Sequence, residues 1–180
     1  MTQQMKVGKI MLTEEEIKNK VEELGAAINA DYGDKELIVL GILKGCFVFI
    51  GDLVRQLRGD IQVHFMQVSS YGRGTESSGE IKIKKDIDID IAGKHVLLAE
   101  DIIDSGNTLV QLIPMLQKRN PASIKVCALL SKPSRRQVEF EADYTGFEIP
   151  DKFIVGYGLD FDERYRQLPY IAEMESCSEE

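Results

Sequence analysis

Two periodicities alternate along the chain. Ile17, Val21, Leu24 and Ile28 recur at three- and four-residue spacing, the signature of one helical face. Thr13 followed by Glu16 is a capping box that starts this helix, and Tyr32-Gly33-Asp34 marks its end. Leu37 to Leu43 is then an unbroken apolar run, as in a buried parallel strand. Lys44-Gly45 interrupts it, and Phe47, Ile50, Val54 and Leu57 predict a second helix. Ile61, Val63 and Phe65 alternate with Gln62, His64 and Met66, a half-buried strand. Ile81, Ile83, Ile87, Ile89 and Ile91 predict a hairpin across Lys84-Lys85-Asp86. Val96 to Ala99 is a further apolar strand, and Leu109, Leu112, Ile113 and Leu116 predict a helix over 108–119. Pro114 falls inside that stripe and predicts a kink or an early end, because proline removes an intrahelical hydrogen bond. Ile124 to Leu130 is one more buried strand, followed by core pieces at Tyr144, Phe147 and Ile154-Val155. The acidic tail from Glu173 to Glu180 is expected to fray.

Strands alternating with helices predict an α/β fold, a mostly parallel twisted sheet flanked by helices and joined by right-handed crossovers. The 81–91 hairpin and the C-terminal segment read as additions to it. At 180 residues the chain is expected to form one domain. A net charge of −8 argues against nucleic acid as a partner, which needs a basic face. No apolar run approaches the roughly 20 residues of a membrane helix, and the N-terminus carries no secretory pattern. Cys46, Cys127 and Cys177 are odd in number and form no C-x-x-C, which supports neither a disulfide framework nor a zinc site. Cys46 and Cys127 lie in apolar runs and read as buried thiols, and the whole pattern is that of a cytoplasmic protein.

Chemistry concentrates in residues 96–108. Glu100 and Asp101 close an apolar strand, where open α/β sheets place their ligands. Asp104 follows, then Ser105, Gly106, Asn107 and Thr108, small residues at the start of the predicted helix. N–H groups and the helix dipole favour a phosphate there. The adjacent acids suit a sugar diol or a metal bound to one, so the pair of features describes a ribose 5-phosphate. Read blandly, the stretch is an acidic strand end with Asp104 as a helix cap. Other chemistries lack their motifs: His64 and His95 have no zinc spacing, and neither G-x-S-x-G nor a P-loop occurs.

Glu-Asp-Ile-Ile-Asp-Ser-Gly-Asn-Thr resembles the phosphoribosyl-diphosphate (PRPP) signature of the type I phosphoribosyltransferases. Leu-Lys-Gly at 43–45, Ser-Tyr at 70–71 and the segment 146–160 support the resemblance in the family's order, and the last points to the purine branch. The resemblance implies that fold with a small hood from the terminal segments. It implies transfer of a phosphoribosyl group from PRPP to a 6-oxopurine, hypoxanthine or guanine, with Mg²⁺ and in a homodimer or homotetramer. Glu100 and Asp101 would hold the ribose hydroxyls, directly or through Mg²⁺, and Asp104 would be the general base near the purine N7. Ser105, Gly106, Asn107 and Thr108 would cradle the 5′-phosphate; the family usually has Thr at the first of these positions and often Lys at the third. Lys44, Gly45 and Arg166 would bind pyrophosphate, and the Leu43–Lys44 peptide would be cis or strained. Ser70 and Tyr71 would belong to a mobile lid at about 69–80. Lys132 would donate to the purine O6, Phe153 would stack on the base, Ile154 would offer backbone groups to its edge, and Asp160 would take a second Mg²⁺ or orient its waters. A bland alternative for Arg166 is an ion pair with Asp160, Asp162 or Glu163, and for Phe153 a place in the core. The rival functions are a xanthine-preferring transferase and a PRPP-sensing regulator that binds RNA or DNA.

Overall fold

The computed structural model describes residues 5–70 and 81–176, and of Ser70 the backbone alone. The elements run β1 (Met5–Leu12), α1 (Glu14–Tyr32), β2 (Leu37–Leu43), α2 (Phe47–Val54), β3 (Ile61–Ser70), β4 (Ile81–Lys85), β5 (His95–Ile103), α3 (Asn107–Gln117), β6 (Ser123–Ser131), β7 (Tyr144–Glu148), β8 (Ile154–Val155) and β9 (Ile171–Ser176). Six strands form one sheet in the order β4-β3-β2-β5-β6-β7, and β1, β9 and β8 form a second, smaller one. Within the large sheet every pairing is parallel except that of β4 with β3.

The alternation of side chains along each strand sorts the core into two layers. Leu37, Val39, Leu97, Ala99, Cys127 and Leu129 face α1 and α2, where they meet Ile17, Val21, Ile28, Phe49 and Leu53. Their neighbours Ile38, Leu40, Val96, Leu98, Val126 and Ala128 face α3, where they meet Leu109, Leu112 and Leu116. Both faces are dry, which is why these strands read as continuous apolar runs. Each fully buried leucine of α3 contributes roughly 1.5–3 kcal/mol.

Capping holds as the sequence predicts: Thr13 Oγ1 accepts from Glu16 N at 3.2 Å and Thr13 N donates to Glu16 Oε2 at 2.8 Å. Pro114 stays inside α3, which ends at Gln117, two residues short of the pattern. The last turn closes through Arg119 N to Leu116 O and Asn120 N to Gln117 O, both 3.0 Å.

Three expectations are corrected. The 81–91 stretch is not a hairpin. Residues 81–85 pair antiparallel with β3 and cover its open edge, while Ile87 and Ile91 leave the sheet and bury themselves on the α3 side. In α2 the inward stripe is Cys46, Phe49, Ile50 and Leu53, so Phe47 turns out and is 46% exposed. The tail is not frayed as far as residue 176: β9 is the middle strand of the small sheet, paired on both sides.

Chain order places the site. From β2 the chain moves to β3 on one side, then returns as β5 on the other. The crevice between the carboxyl ends of β2 and β5 is therefore a topological switch point, where such sheets bind ligands.

Candidate active site

At the end of β2 the Leu43–Lys44 peptide is cis, as the resemblance implied. Gly45 then lies against β5. A Cβ built there would stand 1.7 Å from Asp101 Oδ2, so any side chain would force the carboxylate to move. The turn at Gly158 closes over from the other side: its Cβ would meet Gly45 O at 2.1 Å, and its φ of +98° suits glycine. Gly45, Asp101 and Gly158 thus form one tight stack.

Glu100 is 8% exposed at the end of β5, and burial, then the charge of Asp101, pushes its carboxyl well above the ordinary range. Asp101 is pushed up to about 6, again by burial, against the pull of its bond from Ile102 N and the charge of Arg166. Two desolvated carboxylates without a cation are costly. Among the described residues no group of three or more His, Cys, Asp or Glu could hold a metal by itself. Two carboxylates with substrate oxygens completing the sphere are, however, what Mg²⁺ favours. The donor set fits that ion.

Asp104 lies just beyond β5. It is not the helix cap: that position belongs to Gly106, whose φ is +81°. Asp104 Oδ1 is shielded from solvent and has no hydrogen-bond partner among the described residues, and Lys132 Nζ stands 3.5 Å from it. Lys132 is 7% exposed; its ammonium donates to Lys152 O at 2.8 Å, and Asp151 Oδ1 is 4.0 Å away. The acid and the lysine expected at the base therefore meet in space although they belong to different strand ends, those of β5 and β6.

Ser105, Gly106 and Thr108 line a cavity of about 180 Å³ together with Glu100, Ile103 and Asp104. Ser105 Oγ accepts from Asn107 N at 3.3 Å. A larger groove of about 650 Å³ lies elsewhere, between α1, α2 and residues 166–169; it shares Arg166 but none of the acids.

Lys44 and Arg166, the cations expected at pyrophosphate, are joined by Glu163, whose pairing with Lys44 was not foreseen. Glu163 Oε2 lies 2.9 Å from Lys44 Nζ and 3.3 Å from Arg166 Nη2, and these bonds hold the Glu163 carboxyl below its ordinary range. Arg166 also pairs with Asp160 Oδ1 at 3.1 Å and donates to Gly158 O at 2.8 Å. The bland ion pairs with Asp160 and Glu163 are thus present, while Asp162 makes none with Arg166 among the described residues. Asp160 Oδ2 accepts from Glu163 N at 2.9 Å, so Asp160 is turned to Arg166 and its own loop and does not join Glu100 and Asp101.

Phe153 is not core. It is 52% exposed, edge-on to Phe161 with ring centres 5.7 Å apart, and Ile154 beside it is buried. Of the expected lid, Ser69 and the backbone of Ser70 end β3 and pair with β4, while residues 71–80 and the side chain of Ser70 lie outside the described residues. So does Cys177; Cys46 and Cys127 are buried free thiols, and burial pushes Cys127 up to about 12. No helix among the described residues is long and apolar enough to cross a membrane.

Two further residues escaped the sequence reading. Arg136 and Gln137 grip the loop after β5 from behind, through contacts no spacing announces. The nearest sequence signal is the doubled arginine at 135–136.

Comparison with known proteins shows the family. The family model of the phosphoribosyl transferase domain matches residues 9–162, and the chain belongs to that family. It is 49% identical over 165 residues to the hypoxanthine-guanine phosphoribosyltransferase of Bacillus subtilis, covering 92% of each chain. With the enzyme of the same description from Aquifex aeolicus it shares 50% over 168 residues, covering 93% of this chain and 94% of the relative. Among solved structures, a hypoxanthine-guanine phosphoribosyltransferase from Bacillus anthracis superposes with a TM-score of 0.90 at 43% identity, over 96% of this chain and all of the other.

Proposed function

We propose that this protein transfers the 5-phosphoribosyl group of PRPP to N9 of a 6-oxopurine, hypoxanthine or guanine, forming the nucleoside monophosphate and pyrophosphate. The observation that carries the reading is the meeting of Asp104 Oδ1, free of hydrogen bonds, with the buried Lys132 ammonium 3.5 Å away. A 6-oxopurine offers an acceptor at O6 to the lysine and a ring proton to the carboxylate. Adenine offers a second donor at the exocyclic position and no acceptor there.

In this reading the C1′–O bond to pyrophosphate breaks as the N9–C1′ bond forms, through an oxocarbenium-like state. Asp104 Oδ1 takes the proton that the base sheds at N7. Lys132 donates to O6, Phe153 covers the ring face, and Ile154 presents backbone to its edge. Ser105, Gly106, Asn107 and Thr108 hold the 5′-phosphate at the start of α3. Lys44, Gly45 and Arg166 bind the leaving pyrophosphate, and positive charge there counts most as the bond breaks. Glu100 and Asp101 would hold Mg²⁺ against the ribose diol; when bound, the ion screens charge on the pyrophosphate. Asp160 acts by orienting Arg166.

Residues 1–180 would work as one transferase domain with the β1-β9-β8 sheet as its hood, in a cytoplasmic homodimer or homotetramer. The test is product formation from PRPP and Mg²⁺ with hypoxanthine, guanine, xanthine and adenine in turn. Inosine and guanosine monophosphates with stoichiometric pyrophosphate are expected. Turnover of adenine alone, or of none, would overturn the proposal.

A further inference from the structure

The loop that would carry the 5′-phosphate is held from behind by one short segment. Three consecutive carbonyls at the end of β5 accept from residues 132–137. Ile103 O receives Lys132 N at 2.9 Å, and Ser105 O receives Gln137 N at 3.0 Å. Between them, Arg136 Nη1 donates to Asp104 O at 2.7 Å and to Ile103 O at 3.2 Å. The rest of that guanidinium is also used: Nη2 donates to Ser131 Oγ at 2.8 Å and Nε to Phe140 O at 3.1 Å. On the flank, Asn107 Nδ2 donates to Gln137 Oε1 at 2.7 Å. Arg136 also walls the turn at Gly106, where a Cβ would meet its Cδ at 3.2 Å and Val138 Cγ2 at 2.9 Å.

Peptide geometry turns these bonds into an orientation. In a planar trans peptide the C=O and N–H point opposite ways. When the carbonyls of 103, 104 and 105 point back to the 132–137 segment, the N–H groups of 104, 105 and 106 point away from it, toward the crevice. An anion there meets donors already aimed, with no reorganisation at binding. A guanidinium suits this task because its five donors are spread over a rigid planar fork, whereas a lysine offers three donors from a single nitrogen.

We propose that Arg136 is a positioning residue: it touches no substrate, and it presets the phosphate loop and the backbone of Asp104 for PRPP. The proposal rests on the transferase reading above. It also predicts selectivity, since Arg136 grips the phosphate side of the crevice while the base is held by Lys132, Phe153 and Ile154.

The test is steady-state kinetics on the full chain, with PRPP and base varied separately, for wild type, Arg136→Ala and Arg136→Lys. Loss of the shared Nη1 bonds to Ile103 O and Asp104 O predicts kcat/KM for PRPP lower by about 10- to 100-fold. The KM for the base should stay near the wild-type value. Millimolar guanidinium ion should restore part of the Arg136→Ala loss and leave wild type unchanged. Arg136→Lys keeps the charge and most of the packing, so it serves if the alanine variant does not fold, and the same PRPP-selective loss is expected. Wild-type PRPP kinetics in Arg136→Lys would overturn the proposal. So would a loss in Arg136→Ala that falls equally on base and PRPP with no guanidinium rescue. A wild-type chain that makes no nucleotide from any of the four bases overturns the transferase reading itself, and the proposal with it.

Discussion

Replacing Gly45 by alanine should disable the site without unfolding the protein. Gly45 is not among the glycines with positive φ, so its backbone would accept alanine and the obstacle is space alone. The new methyl would lie 1.7 Å from Asp101 Oδ2 and 2.7 Å from its Cγ, where ordinary contact needs about 3.5–4 Å. The carboxylate must swing aside, breaking its 2.9 Å bond from Ile102 N. Losing a hydrogen bond to a charged group costs about 1.5–3 kcal/mol, and an off-rotamer side chain about 0.5–1.5 more. Together these give roughly 2–4 kcal/mol, or about 30- to 1000-fold in kcat/KM for PRPP. The assay is initial rate against PRPP at several Mg²⁺ concentrations, with thermal unfolding alongside. The Mg²⁺ requirement should rise with the KM for PRPP while the KM for the base holds. Wild-type dependence on both PRPP and Mg²⁺ in Gly45→Ala would show that Asp101 has room the structure denies it, and would refute the assigned role of the Gly45–Asp101 contact.

Three other outcomes are expected. Asp104→Asn keeps the shape but cannot take a proton, so turnover should fall by about 10²- to 10⁴-fold with PRPP affinity little changed; calorimetric PRPP binding with single-turnover rates checks this, and normal turnover would remove Asp104 as the base. Lys132→Met should raise the KM for hypoxanthine and guanine by about 10- to 100-fold, from one lost charged hydrogen bond, while PRPP still binds; an unchanged KM would move recognition to the backbone at Ile154. The bond from Arg119 Nη2 at 2.6 Å, together with Ile87 N, lowers the Asp86 carboxyl below its ordinary range. A depressed carboxylate stabilises the fold above its unfolded pKa near ~4 and loses that contribution as pH falls through the folded value. Asp86→Asn should therefore cost about 0.2–1 kcal/mol at pH 7, discounted for exposure, with the gap to wild type closing in acid; denaturant melts from pH 7 to pH 2 read it, and a constant gap would refute it.

The sequence by itself determined what is local. Leu37–Leu43 was legible as a strand to the residue, because a segment dry on both faces must be apolar throughout. Thr13 and Glu16 marked a helix start because the capping bonds span three residues. Glu100, Asp101 and Asp104 with the loop 105–108 were legible as one candidate site, since all of these groups lie within a single strand-turn-helix. Tertiary structure alone decided what depends on distant chain. Nothing near Gly45 announces that Asp101 leaves it no room, nor anything near Glu163 that it would bridge Lys44 and Arg166. The 81–91 stretch kept the alternation of a hairpin, but the open edge of β3 captured its first half and the core beneath α3 its second. The acidic tail carried the composition of a frayed end, yet β1 and β8 each offered a free edge, and backbone hydrogen bonding, which is blind to side-chain type, drew it in as their common partner. Arg136 is the clearest case: its bonds are set by where the Ile103 and Asp104 carbonyls of another segment point, and a carbonyl's direction is written in the fold and not in the residue that bears it.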